Sequence, residues 1–85
     1  MQIHSIYDNG EAWDRFTVYY GGRGTLRRDY RGEQVRLCVC MSAAPFHPQG
    51  VGMHGEGQPG RHNGRRIRFE DLPADCRRLV EMDLA

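Results

Sequence analysis

Apolar and polar residues alternate with a period of two in three separate stretches of the chain, and with a helical period only near its end. In "QVRLCVCM", Gln34 to Met41, one side takes Val35, Leu37, Val39 and Met41 and the other takes Arg36, Cys38 and Cys40. That alternation predicts a half-buried strand, placed centrally. "WDRFTVYY", Trp13 to Tyr20, is rich in aromatic and β-branched residues, with Phe16, Val18 and Tyr20 on one face and Arg15, Thr17 and Tyr19 on the other. In "RRIRF", Ile67 and Phe69 point inward and Arg66 and Arg68 outward. "IHSIY", Ile3 to Tyr7, is a shorter strand candidate, ended by the turn signal Asp8-Asn9-Gly10. Gly21, Gly22 and Gly24 break the second pattern in what reads as a hairpin turn, and "TLRRDYRGE" follows as a connection or an irregular edge strand.

Near the end, Leu72, Cys76, Leu79 and Val80 recur at i, i+4, i+7 and i+8. Pro73 in the first turn, where its missing N–H costs nothing, and acids at the start complete a predicted helix over 72–83. The sum is an α+β domain: a small antiparallel sheet of three to four strands, one C-terminal helix packed on one face, and a long Gly/His-rich loop over 45–64. A single domain over 1–85 is the only organisation that 85 residues allow.

On that sheet the face away from the helix carries Arg15, Arg36, Arg66 and Arg68. Aligned across strands they form a basic stripe for binding; the plainer alternative is a solvated face with ion pairs to Asp14, Glu33 and Glu70. The loop, "PFHPQGVGMHGEGQPGRHNG", holds six of the eleven glycines and three of the four histidines. A loop of about 20 residues in so small a domain is functional or loosely packed. On the functional reading Phe46 tucks into the core while His47, Gln49, His54 and the Arg61/His62 end meet a partner.

Net charge is +1, which argues against a purely electrostatic nucleic-acid binder. Arg23 to Arg36 and Arg61 to Arg68 are nevertheless basic, and Glu70 to Asp83 is acidic. All twelve basic residues are arginine, which suits carboxylate or phosphate recognition and equally reflects a GC-rich genome. No long apolar run and no leader-like start occur, so a cytoplasmic protein with no membrane partner is expected. Three cysteines, Cys38, Cys40 and Cys76, are read as reduced thiols.

Catalytic and metal chemistry find little support. His47, His54 and His62 lack the short paired spacings of zinc sites, and Cys38 and Cys40, alternating on one strand, share a face without converging unaided. A thiol nucleophile paired with His47 or His54 lacks any surrounding motif. "GGRG" lacks the P-loop spacing and its Lys-Ser/Thr. No catalytic residue, cofactor or metal is therefore expected.

The blocks "SIYDNGEAWDRFTVYY", "MSAAPFHPQGVGMHG" and "GRHNGRRIRFEDLPADCRRLV" together resemble a family of small uncharacterised proteins from bacteriophages and integrated mobile elements. The resemblance covers most of the chain, with Glu11 in place of a second glycine after Asp-Asn-Gly. It brings no activity and no catalytic residue. What a phage origin implies is a class: small non-enzymatic proteins that bind host machinery, anti-CRISPR inhibitors prominent among them. The expectation is an inhibitor that blocks a Cas complex sterically through Arg15, Arg36, Arg66, Arg68, His47, Gln49, His54 and Arg61. A nucleic-acid-binding module using the same arginines is the alternative, and exposed apolar residues such as Tyr19 fit a homodimer.

Overall fold

The computed structural model describes residues 1–85. Strands β1 (Gln2–Asp8), β2 (Phe16–Gly21), β3 (Leu26–Arg28), β4 (Gln34–Met41), β5 (Gly52–Gly57) and β6 (Arg65–Ile67) precede helix α1 (Ala74–Leu84). Every pairing is antiparallel, and the lateral order is β5, β4, β2, β1, β6, with β3 continuing β2 along the same edge of β4.

The α+β class holds, with more strands than the three to four expected. The alternation in Gln34–Met41 yields β4 as predicted, an interior strand paired with β2, β3 and β5, although the middle of the lateral order is β2. β2 is shorter than its pattern: it starts at Phe16, so Trp13 and Arg15 belong to the preceding turn. Gly21 to Gly24 do not reverse the chain. Gly22 and Gly24 take positive φ and offset β3 from β2, and the reversal comes at Asp29–Glu33, with Gly32 at φ 80°. The stretch expected to be one long loop contains β5, which pairs with β4 from Met41↔Gly52 to Arg36↔Gly57. β6 stops at Ile67 and a 3-10 turn, Phe69–Asp71, leads to the helix, so Arg68 is not in the sheet.

The side chains of β1, β2, β4 and β6 that face α1 form the core: Ile6, Phe16, Val18, Tyr20, Val39, Met41 and Ile67 meet Leu72, Cys76 and Val80. Each fully buried aliphatic side chain of this kind contributes about 1.5–3 kcal/mol. The helical stripe is as predicted, except that Leu72 precedes the helix and Leu79 is only partly covered. Two polar links lock the helix down. The Cys76 thiol donates to the Ser42 carbonyl at 3.1 Å. At the other end the buried Tyr20 hydroxyl donates to Asp83 Oδ2 at 2.5 Å, and His54 Nε2 lies 2.9 Å from both Asp83 oxygens.

β5 and β6 occupy opposite edges of the sheet, so the connection between them, Gln58–Gly64, passes over the face that α1 leaves open. Asn63 Oδ1 accepts from the Tyr19 hydroxyl at 2.7 Å, and Asn63 Nδ2 donates to the Gln58 and Gly60 carbonyls. Gly64 enters β6 at φ 109°, so close to β1 that a Cβ would lie 2.4 Å from the Asp8 carbonyl oxygen. Only glycine fits there.

Candidate functional site

The hairpin between β1 and β2 and the loop between β4 and β5 meet at one end of the sheet. Between them lies a recess of about 350 Å³, lined by Ala12, Trp13, Arg15, Ser42, Ala43, Ala44, His47, Gln49 and Gly50. Trp13 is 67% exposed, the most open large apolar side chain after Tyr30 apart from an equally open Met53. Its walls are fixed by hydrogen bonds. The Asn9 N–H donates to the Arg15 carbonyl at 2.9 Å, closing the turn that presents Trp13. On the opposite side the Gly50 N–H donates to the His47 carbonyl at 2.8 Å, and the Gln49 N–H to His47 Nδ1 at 3.1 Å.

Arg15 forms the charged rim of this recess. Its Nε and Nη2 donate to the two oxygens of Asp8, at 2.7 and 2.9 Å, while the guanidinium lies 4.9 Å from the centre of the Phe16 ring. Asp8 is buried, accepts also from the Gly10 N–H at 2.9 Å, and has Arg65 Nη2 at 3.5 Å. Hydrogen bonding from Arg15 holds the Asp8 carboxyl below its ordinary range, against the opposing effect of burial.

Of the residues expected to contact a partner, Arg15, His47 and Gln49 come together here. The others are dispersed. His54 faces α1 and is engaged by Asp83. Arg61 sits exposed in a 3-10 turn, Arg61–Asn63. Arg68 is paired with Asp71 at 3.7 Å. The four-arginine stripe does not exist: Arg15 and Arg68 lie outside the sheet, and only Arg36 and Arg66 stand on the open face. The ion pairs that remove the others use Asp8 and Asp71, not Asp14, Glu33 or Glu70.

The open face is instead a buried cluster. Tyr7 and Tyr19 meet edge to face with centroids 5.9 Å apart, over Cys38 and beside Cys40. Tyr19 is 3% exposed, which corrects its assignment as an exposed dimer contact. Burial pushes its hydroxyl up to about 12. Phe46, expected in the core, is half exposed with the Arg78 guanidinium 5.0 Å from its ring centre.

Two residues escaped the sequence reading. Trp13 looked like the first residue of a strand, although an aromatic close after Asn-Gly is as readily the tip of a hairpin. His4 lies on the open face between Arg36 and Arg66, with Ser5 Oγ 2.9 Å from its Nδ1; burial and then the two arginines hold it below the ordinary histidine range. A β-bulge at Ile3/Ser5 sets its direction, and no periodicity signals a bulge.

No family model, no curated protein and no solved structure matches the chain. No helix is long and apolar enough to cross a membrane.

Proposed function

We propose that the protein is a non-enzymatic binding protein of bacteriophage type, whose contact surface is the Trp13 recess with Arg15, His47 and Gln49 at its rim. Its partner, on the family resemblance, is a host defence complex, an anti-CRISPR inhibitor on a Cas assembly being the foremost case. The observation that carries the reading is an open tryptophan held beside an apolar recess. Interfaces take most of their energy from a few Trp, Tyr and Arg side chains that dock in or beside such pockets. Trp13 does nothing for the core, and Arg15, fixed by Asp8, loses little further freedom on binding.

The nucleic-acid alternative rests on Arg36 and Arg66, with His4 between them, since the other sheet-face candidates are held by carboxylates. The test is capture of tagged protein from the lysate of a CRISPR-bearing host, with and without nuclease, alongside Trp13→Ala. A Cas subunit retained after nuclease by the wild type supports the reading. Its affinity should fall by about 2–4 kcal/mol, roughly 30- to 1,000-fold, in Trp13→Ala. Capture that disappears with nuclease, or that Trp13→Ala leaves unchanged, refutes it.

A further inference from the structure

Three sulfur atoms share a small part of the open sheet face. Cys38 and Cys40 are i and i+2 on β4, and Met53 on β5 stands directly opposite Cys40. All three point away from α1, because their neighbours Val39 and Met41 form the core. Opposed residues of this kind have Cβ atoms about 4.5–5.5 Å apart, which puts a methionine thioether within easy reach of the Cys40 thiol. The Thr17 hydroxyl donates to Cys40 Sγ at 3.8 Å.

The strand backbone decides what the two thiols can do. Residues i and i+2 are about 6.6–6.8 Å apart along a strand, whereas a disulfide requires its Cβ atoms at about 3.5–4.5 Å. The pair is therefore poorly placed for a disulfide. Two thiolates bridged by one metal ion are less demanding, since at about 2.3 Å per metal–sulfur bond a linear S–metal–S unit spans roughly 4.6 Å. Modest inclination of both side chains reaches that span without moving the backbone.

We propose that Cys38, Cys40 and Met53 form a binding site for a soft monovalent cation, copper(I) or its mimic silver(I), with the thiolates as principal ligands and the thioether as third donor. Thiolate and thioether donors select such ions over the harder divalent metals. Binding displaces one proton from each thiol, leaving a dithiolate complex of charge −1.

Access is from the β5 side. Gly55 stands opposite Cys38, and the space where its Cβ would project is empty; Met53 at the mouth is 67% exposed. Tyr19 and Tyr7 close the remaining side of Cys38. The third cysteine, Cys76, is on the helix, donating to Ser42, and belongs to no such group.

The test is anaerobic titration of the reduced protein with copper(I) against the chromophoric chelator bicinchoninate. The expected result is one equivalent per chain withdrawn from the chelator. Because loss of even an outer-shell partner weakens metal sites by about 10- to 100-fold, Cys40→Ser should lose at least about 100-fold in affinity and Met53→Leu about tenfold. Cys76→Ser should retain the wild-type value. Met53 is exposed and Cys40 only partly buried, at the edge of the Tyr7–Tyr19–Cys38 cluster, and circular dichroism of each variant verifies folding. No withdrawal of copper(I) by the wild type, or equal affinity in folded Cys40→Ser, overturns the proposal. X-ray absorption of the loaded protein should show sulfur donors alone, and a dominant nitrogen shell would equally overturn it.

Discussion

Tyr20 and Asp83 are 63 residues apart in the chain, and their hydrogen bond ties the last turn of α1 to β2. Tyr20 is 0% exposed, and the Asp83 side chain is 17% exposed. A hydrogen bond to a charged acceptor is worth about 1.5–3 kcal/mol. In Tyr20→Phe the ring stays in place and the carboxylate keeps His54 and some water, so the loss should be near the lower figure, about 1.5 kcal/mol. Asp83→Ala instead leaves a buried phenol without an acceptor, at about 2–3 kcal/mol.

Asp83 also sits at the negative end of the helix dipole, a position that costs an acid about 0.3–1 kcal/mol. Once Tyr20 is Phe, Asp83→Ala should therefore cost little more or nothing. Urea unfolding of the four proteins, followed by far-UV circular dichroism, completes the double-mutant cycle, and a coupling of about 2–3 kcal/mol is expected. In thermal scans Tyr20→Phe should lower Tm by about 6–12 °C, at 4–8 °C per kcal/mol for a domain of this size. Additive effects, or a Tyr20→Phe variant as stable as the wild type, would refute the tether.

Other perturbations test the parts that frame the site. The Asp8 carboxyl titrates lower folded than its ordinary value of 3.8, so its contribution is present above about pH 4 and is lost as pH falls through the folded value. Asp8→Asn should cost about 1–2 kcal/mol at neutral pH, Arg15 being partly exposed, and should flatten the acid limb of a stability–pH curve measured by urea titration. Gly64→Ala forces a positive φ on a side chain that also meets the Asp8 carbonyl, and a loss of at least about 2 kcal/mol by the same assay is expected.

Legibility in the sequence followed locality. Gln34–Met41 could be read because Val39 and Met41 are core, Leu37 packs against it and Val35 is buried, all on one face, so alternation alone reports it. The α1 stripe was legible for the same reason. β5, "GMHGEG", was hidden because its glycines answer to residues far away. A Cβ at Gly57 would lie 2.9 Å from the Tyr19 hydroxyl oxygen, and one at Gly52 would lie 3.0 Å from Leu79. A strand thinned to fit beneath an aromatic ring and a helix looks, by composition, like a loop. The arginine stripe failed through pairing: the β1–β2 hairpin brings Asp8 opposite Phe16 and so next to Arg15, a proximity fixed by register. Trp13, His47 and Gln49 converge only because two loops emerge at the same end of adjacent strands.

The placement of β6 against β1 bears on how the domain is made. Ile6 finds Ile67, and the sheet is covered by a helix from the far end of the chain, so the decisive contacts join early residues to late ones. Such topology has a high contact order, in which the entropy of closing large loops precedes most of the reward. Folding should accordingly be slow for so small a domain. Until α1 arrives, the emerging chain presents an uncovered apolar sheet, vulnerable to proteases and to its own neighbours.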